Sequence, residues 1–135
     1  MEIVVDSNVV FSAMISDSTT REILLDSGHK FYSPEYIKSE ITKYQDSITE
    51  KSGLTSQEFE ILLNLILDEI EIQAKEEYKN ELDKAEEILE DQDIKDVPFL
   101  AVAIYKNCKI WSDDKDFQEQ DIVEVITTKE MVNSY

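Results

Sequence analysis

The sequence predicts an α/β fold: a three-layer α/β/α sandwich in which helices cover both faces of a mostly parallel sheet. Short apolar segments of strand length alternate with longer segments in which apolar residues recur every three or four positions. Gly and Pro contribute only two residues each, which disfavours an all-β fold rich in turns. A chain of 135 residues has enough interior for one core, so we expect a single domain over residues 1–135.

The first predicted strand is the apolar run at residues 3–5, which ends at Asp6. An uninterrupted apolar run is typical of a parallel strand that is covered on both faces. We expect a helix to begin at Asn8, with Asn8 as its N-cap, so that Asp6 lies near N–H groups that favour anions. The alternative is that Asp6 only forms the turn between the strand and the helix.

Three short elements come next along the chain. Residues 17–20 are predicted to be a loop, residues 21–27 a short helix ended by Gly28, and residues 30–33 a second strand.

A longer helix is expected after the second strand, with Ser33 as its N-cap and Pro34 at its first position. A polar break at residues 49–52 is expected to end it. Glu40 borders the apolar stripe of this helix, and an acidic side chain beside a buried face needs a partner. The alternative is that Glu40 is a mobile surface residue. The stripe consists of Tyr36, Ile37, Ile41 and Tyr44.

The middle of the chain is predicted to contain two more helices and a short edge strand. Thr55 or Ser56 caps the first of these helices, and the alternating residues 70–73 favour a strand. Residues 76–90 are predicted to form one helix with an apolar face and an acidic face.

A helix is predicted to begin within the segment at residues 93–99, with Asp96 at or near its N-cap. Pro98 is tolerated only in the first turn of a helix, which places the helix start close to Asp96. Capping alone would explain an Asp at this position.

The last predicted elements are a strand at residues 109–112, a strand at 122–126 and a helix at 127–132. The first of these strands runs directly into Asp113 and Asp114, as the first strand of the chain runs into Asp6.

The net charge of −18 is concentrated in one segment. Residues 68–96 contain thirteen acidic and four basic residues, a net charge of −9. Such a segment is either a solvated helix face or a docking surface for a basic partner. The twelve Lys residues and Arg21 form no cluster in the sequence, which disfavours simple binding to a phosphate backbone. Any contact with nucleic acid is expected to be local and assisted by a metal.

The single cysteine, Cys108, cannot form an internal disulfide, and the chain begins directly with a strand. We therefore expect a cytoplasmic protein. The apolar stretches are far shorter than the ~20 residues that cross a bilayer, so no membrane role is expected.

Four carboxylates are candidates for one site: Asp6 and Asp114 after two strands, Asp96 at a helix start, and Glu40 on another helix. In a parallel sheet at least three of them can converge on one edge. Carboxylates within a few ångströms of one another cannot all stay ionised without a cation, and oxygen ligands select hard ions such as Mg²⁺ or Mn²⁺. A site of this kind suits the hydrolysis of phosphodiester bonds.

Four segments together resemble the PIN-domain nucleases, in their order and spacing, over nearly the whole chain. They are Ile-Val-Val-Asp-Ser-Asn at 3–8, Ser33-Pro34 followed by Glu40, Asp-Ile-Lys-Asp-Val-Pro-Phe-Leu-Ala-Val-Ala at 93–103, and Ile-Trp-Ser-Asp-Asp-Lys-Asp-Phe at 110–117.

The resemblance implies a metal-dependent ribonuclease with a catalytic quartet. The quartet would be Asp6, Glu40, Asp96 and Asp114. The three Asp residues would hold Mg²⁺ or Mn²⁺ directly or through water, and Glu40 would orient the water or complete the ligand shell of the metal. Supporting positions would be Asn8, Ser112 and Asp116. Toxins of toxin–antitoxin pairs are common among such proteins and dimers are usual. The resemblance therefore implies RNA as substrate, a homodimer, and either a toxin with a basic antitoxin as candidate partner or an RNA-processing nuclease.

Two departures and two alternatives stand beside this resemblance. The strong acidity is unusual for a free RNA-binding protein, and the acidic helix at 76–90 is longer than a minimal toxin needs. One alternative is a catalytically weak PIN-like binding module whose acidic surface docks a basic partner. The other is a phosphatase of the haloacid dehalogenase type, whose chemistry needs a second Asp where this chain has Asn8.

Overall fold

The computed structural model describes residues 1–16, 18–90 and 93–135; Asp17 of the predicted loop, and Asp91 and Gln92 of the acidic segment, lie outside them. The strands in these ranges are β1 (Glu2–Val5), β2 (Lys30–Pro34), β3 (Ile70–Gln73), β4 (Lys109–Trp111) and β5 (Val125–Ile126). They form one sheet in the order β3-β2-β1-β4-β5, in which every pairing is parallel. The predicted α/β class and parallel sheet are confirmed.

The helices of the described ranges form two groups. They are α1 (Ser7–Ile15), α2 (Ser18–Asp26), α3 (Tyr36–Ser52), α4 (Ser56–Asp68), α5 (Lys75–Tyr78), α6 (Leu82–Leu89), α7 (Val97–Lys106), α8 (Lys115–Gln118) and α9 (Thr128–Ser134). In one group α7 contacts β1, β2 and β4, with α5 and α6 packed against α7. In the other group α1 contacts α2, α3 and α4, and α9 joins through α2. The architecture is the expected three-layer sandwich.

The core is built on β1 and α7. Ile3, Val4 and Val5 are completely buried, as expected of a central parallel strand. In α7 the five consecutive residues 99–103 are all buried, so this part of the helix is covered on all sides rather than along one stripe. Because both elements are fixed by burial, the residues that follow β1 and precede α7 have well-defined positions.

The start of α1 differs from the prediction. The helix begins at Ser7 and Asp6, not Asn8, occupies the N-cap position. The helix begins earlier because of its backbone hydrogen bonds: the carbonyl of Asp6 already accepts from the N–H groups of Val9 and Val10 at 3.1 and 3.5 Å. The Asp6 side chain makes no capping bond and is left for other contacts.

The start of α3 also differs, and Ser33 and Pro34 do not begin the helix. Both belong to β2, where the Ser33 hydroxyl donates to the carbonyl of Val5 at 2.7 Å and Pro34 is in register with Gln73. Sheet contacts therefore extend the strand, and α3 begins only at Tyr36.

Four other boundaries depart from the sequence prediction. Helix α2 begins earlier, at Ser18, and α3 continues through the polar residues 49–52 as far as Ser52. The predicted helix at 76–90 is interrupted by a 3₁₀ turn at Lys79–Glu81, and the last strand is shorter than the predicted 122–126.

Several local predictions are confirmed. Residues 70–73 form the edge strand β3, parallel to β2. Thr55 caps α4, since its hydroxyl accepts from the N–H of Glu58 while the Glu58 carboxylate accepts from the N–H of Thr55. Helix α7 begins directly after Asp96, with Pro98 in its first turn. No helix within the described ranges has both the length and the apolar character that crossing a membrane requires.

Gly53 ends α3 and yields a prediction about stability. Its φ of +74° lies in the left-handed region, and a Cβ at this position would meet no atom within 4 Å. Replacing Gly53 with Ala should therefore lower the unfolding free energy by about 1 kcal/mol through backbone strain alone. Thermal unfolding measures this, and Gly53→Asn should lose less because Asn tolerates this conformation. Equal stability of wild type and Gly53→Ala would contradict the interpretation.

Candidate active site

Five carboxylates line one cleft at the carboxyl edge of the sheet, and four of them are the candidates from the sequence. Asp6 follows β1, Asp114 follows β4, Asp96 precedes α7, and Glu40 projects from α3. Their cleft has a volume of about 130 Å³. The structure thus brings together all four residues that the sequence predicts to be catalytic. The cleft is also lined by Ser7, Asn8, Tyr44, Asp93 and Lys95.

Asp6 and Asp114 are linked through Ser112. The parallel pairing of β1 and β4 continues beyond the strands, since the N–H of Asp6 donates to the carbonyl of Trp111 at 3.1 Å. The buried Ser112 hydroxyl donates to Oδ2 of Asp6 at 2.7 Å and accepts from the N–H of Asp114 at 2.9 Å. Ser112 therefore fixes the orientation of one carboxylate and the backbone that carries the other.

The carboxylate of Asp6 is buried, and burial raises its pKa to about 6. The hydrogen bond from Ser112 opposes this increase, whereas the negative charges of Asp114 and Glu40 add to it. Asp6 is therefore an anion that the protein alone does not fully compensate, so a nearby cation would stabilise it.

Asp96 is the most strongly perturbed carboxylate of the cleft. Only 7% of it is exposed, and its Oδ2 atom has no hydrogen-bond partner within the described part of the chain. Burial, followed by the charges of Asp114 and Asp6, raises its pKa to about 8. A buried carboxylate oxygen without a partner needs a physical explanation, and the binding of a cation to this oxygen would provide one.

Three carboxylates are close enough to share one ion. Asp96, Asp114 and Asp116 each offer one oxygen, and these three oxygens lie within 4.8 Å of one another. The N–H of Asp116 donates to Oδ1 of Asp114 at 2.9 Å, which holds the last two residues together. The sequence assigns Asp116 only a supporting role, whereas the structure groups it with Asp96 and Asp114. Asp6, predicted as a ligand, lines the same cleft but is outside this trio.

The donor set fits a hard divalent cation. All candidate ligands are carboxylate oxygens, which suit Mg²⁺ or Mn²⁺ rather than softer metals. Such a cation would give the unpartnered oxygen of Asp96 a ligand partner. It would also stabilise the ionised forms of Asp6 and Asp96, whose pKa values are raised.

Glu40 is oriented by a residue that the sequence analysis does not single out. The buried hydroxyl of Ser7 donates to Oε1 of the half-buried Glu40 at 2.9 Å. The available signal was the position of Ser7, directly after Asp6 at a strand-to-helix junction. Asn8, predicted as a supporting residue, is exposed at the cleft.

The two adjacent residues Asp113 and Asp114 have different roles. Asp113 accepts hydrogen bonds from the N–H and the hydroxyl of Thr128 at 2.8 and 2.6 Å, at the start of α9. The indole N–H of Trp111 donates to the same hydroxyl at 3.0 Å. Asp113 therefore anchors α9, while Asp114 faces the cleft.

Comparisons with known proteins give the following matches. The PIN domain family model matches residues 4–134. No curated protein sequence matches the chain. Among solved structures, the fold is similar to that of a chain in the crystal structure of VapBC2 from Rickettsia felis bound to a DNA fragment from their promoter, with a TM-score of 0.64. That likeness covers 94% of this chain and 98% of the other at 15% sequence identity, so it describes the fold alone.

The raised pKa of Asp96 predicts how stability depends on pH in metal-free protein. Asp96 titrates near its ordinary value of 3.8 when unfolded and at about 8 when folded, so ionisation removes stability as the pH rises between these values. Asp96→Asn should therefore be more stable than wild type at pH 8, by at least about 1 kcal/mol, and lose this advantage near pH 4.

Thermal unfolding in a chelator at several pH values measures the difference. The exposed Asp46 on α3 provides a matched control, because Asp46→Asn removes the same charge from a residue that does not line the carboxylate cleft. A pH-independent difference between Asp96→Asn and wild type would show that Asp96 is not destabilised by ionisation.

Proposed function

The chain belongs to the PIN domain family, and on this basis we propose that it is a cytoplasmic, metal-dependent endoribonuclease that hydrolyses RNA phosphodiester bonds. The observation that carries the proposal is the cleft in which Asp6, Glu40, Asp96 and Asp114 meet. These residues come from four separate parts of the chain, and a bound cation would compensate the mutual repulsion of their ionised forms.

In this proposal Asp96, Asp114 and Asp116 hold Mg²⁺ or Mn²⁺, and Asp6 contributes directly or through water. When bound, one or two such ions supply an activated water as nucleophile and neutralise charge on the phosphate and the leaving oxygen. The unpartnered Oδ2 of Asp96 supports its role as a ligand.

The other residues of the cleft hold these groups in place. Ser112 orients the Asp6 carboxylate through its hydroxyl hydrogen bond, and Ser7 holds one oxygen of Glu40. The second oxygen of Glu40 can then accept a hydrogen bond from the attacking water and take up its proton. Asn8, exposed beside the cleft, can donate a hydrogen bond to a water or to the substrate.

The biological role that we propose is that of the toxin in a toxin–antitoxin pair, with RNA processing as the alternative role. An acidic groove of about 570 Å³ supports a basic antitoxin as partner. Its charged lining consists of Glu87, Glu90, Asp116, Glu119 and Asp121, with Lys84 as the basic member. A positively charged segment is the complement of such a surface.

The same groove favours a second candidate function. A PIN-like binding module would use the acidic surface to capture a basic partner and would not cleave RNA. The distinguishing result is capture of a basic partner by the protein together with no RNA cleavage in Mg²⁺ or Mn²⁺.

We also propose that the protein is a homodimer. Ile61 and Leu65 lie four residues apart on α4 and are 56% and 51% exposed. Large apolar side chains on one exposed helix face are suited to burial against a second copy.

The two adjacent aspartates allow a matched test of the proposed activity. Asp114→Asn should reduce RNA cleavage by more than about a hundredfold, because it removes a candidate ligand. Asp113→Asn should retain cleavage and instead lower the unfolding free energy by about 1 kcal/mol, because it weakens the bonds to Thr128. Cleavage of a labelled single-stranded RNA in Mn²⁺, together with thermal unfolding, measures both effects. Full activity of Asp114→Asn would refute the assignment of this cleft.

Mn²⁺ binding tests the metal separately from the activity. Isothermal titration calorimetry should detect binding to wild type and a loss of most of that binding in Asp96→Asn, since Asp96 belongs to the candidate ligand trio. Asp46→Asn should bind like wild type and serves as the control. Equal Mn²⁺ affinity of wild type and Asp96→Asn would mean that Asp96 only occupies a helix cap.

A further inference from the structure

A larger groove adjoins the carboxylate cleft at the 3₁₀ turn Ile94–Asp96. Its volume is about 930 Å³, which lies within the range of roughly 300–1,000 Å³ that is typical of sites for small ligands. It is bounded by α3, α5, α6 and the start of α7. We call it the apolar groove, because its lining includes Tyr36, Leu82, Ile94, Val97 and Pro98.

The apolar groove and the carboxylate cleft share two walls. At the 3₁₀ turn, Asp96 lines the cleft, whereas Ile94 and Val97 on either side of it in the sequence line the groove. On α3, Tyr36 lines the groove and Glu40 lines the cleft, one helical turn apart on the same face. A polymer bound at the cleft can therefore continue directly into the groove.

The charge of the apolar groove differs from that of the acidic groove. Among the residues that the structure describes, the charged lining of the apolar groove is formally neutral, with Glu35 and Glu86 against Lys38 and Lys75. The acidic groove has five acidic residues and one basic residue. The net charge of −18 repels a polyanion, so its uncharged parts can bind most easily where the surface is neutral and apolar. The flat, uncharged parts of an RNA strand are its bases.

Two side chains of the apolar groove offer a surface to a flat ligand. Ile94 is 73% exposed, the highest fraction of any large apolar side chain in the described ranges. Tyr36 is half-buried, and its ring makes a T-shaped contact with the buried ring of Phe99, with centroids 6.5 Å apart and an interplanar angle of 77°. The core thus holds the Tyr36 ring in place while part of the side chain stays open to the groove. An aromatic side chain held in this way is suited to stacking with a nucleobase.

We propose that the apolar groove binds a nucleobase of the RNA next to the scissile phosphate, with Tyr36 as the ring on which the base stacks and Ile94 as the apolar rim beside it. The proposal rests on the proposed ribonuclease function and names a substrate-binding subsite beside the same cleft. Stacking uses the π-face that every base has, so the subsite tolerates different sequences. It requires an unpaired base, which makes single-stranded RNA the substrate.

A comparison of two strands tests the subsite. The probes are a fluorescein-labelled single-stranded RNA and a labelled strand of the same length in which every nucleotide is abasic, so that both carry the same backbone charge. Fluorescence anisotropy measures both affinities in Ca²⁺, which carboxylate oxygens also bind, and gel analysis verifies that the RNA stays intact. Wild type should bind the RNA about tenfold more tightly than the abasic strand, because stacking contributes to the affinity for each bound base.

Two variants should reduce this preference for bases. Tyr36→Leu keeps an apolar side chain but removes the ring, so it should weaken RNA binding about tenfold and leave binding of the abasic strand unchanged. Ile94→Ala should weaken RNA binding several-fold, and it should leave the unfolding temperature unchanged because Ile94 is exposed. Tyr36→Phe keeps the ring and should bind the RNA more tightly than Tyr36→Leu does.

Val132→Ala is the matched control for Ile94→Ala. Val132 is also β-branched and 41% exposed, but it lies on α9 and does not line the apolar groove. Its preference should equal that of wild type. The subsite is overturned if wild type binds neither strand or binds both equally, or if Tyr36→Leu and Ile94→Ala keep the full preference. If circular dichroism shows that Tyr36→Leu does not fold, Ile94→Ala decides alone.

Sedimentation velocity separates RNA from another occupant, a second copy of the chain. Under the proposal, Ile94→Ala sediments like wild type and loses preference for the RNA. If Ile94→Ala instead dissociates a wild-type dimer and keeps the preference, the apolar groove is a contact between copies and the subsite is overturned.

Failure of the subsite and failure of the proposed function give different results. If both variants lose the preference but wild type does not cleave this RNA in Mn²⁺, the subsite stands and the ribonuclease function is refuted. If wild type cleaves in Mn²⁺ but shows no preference for bases, the function stands and the apolar groove has no part in it.

Discussion

The burial of β1 is the constraint on which the candidate site depends. Its residues Ile3, Val4 and Val5 are completely buried, and the strand pairs with β2 on one side and β4 on the other, so its end is fixed relative to both neighbours. The backbone bond from Asp6 to Trp111 extends the pairing by one residue and brings Asp6 beside Ser112. Helix α7, buried over residues 99–103, then fixes Asp96 in the same cleft as Asp6. The apolar core thus determines where charged groups meet.

The cost of this arrangement is electrostatic. Burial and neighbouring charges raise the pKa values of Asp6 and Asp96. The core therefore holds both residues in positions where the ionised carboxylate is disfavoured. The hydroxyl groups of Ser112 and Ser7 satisfy one oxygen each of Asp6 and Glu40, but an oxygen of Asp96 has no partner in the described ranges. Functional sites often retain such local instability because the ligand that relieves it is the one that the site binds.

The sequence was sufficient for the sheet and insufficient for several contacts between distant residues. Apolar periodicity identified β1, β3 and α7, because burial imposes the same pattern in sequence and structure. The start of α3 was misplaced because Ser33 bonds across the sheet to Val5 rather than capping a helix. Local propensity cannot register a hydrogen bond to a partner on another strand. Only the family resemblance supported Asp114, rather than Asp113, as the residue that faces the cleft. In the structure the hydrogen bonds from Thr128 hold Asp113 away from this role, and Thr128 is distant in the sequence.

The distribution of charge shows the same limit for electrostatics. Counting charges along the chain gives a strongly acidic protein without a basic cluster, and this count disfavours RNA binding. The fold instead gathers acidic groups from distant parts of the chain in one small cleft, with Lys95 among its lining residues. The negative net charge of the protein repels a polyanion, so under the proposed ribonuclease function a bound cation would have to provide the attraction at the reacting phosphate. For an acidic nuclease of this kind, metal binding would be a condition for substrate binding as well as for hydrolysis.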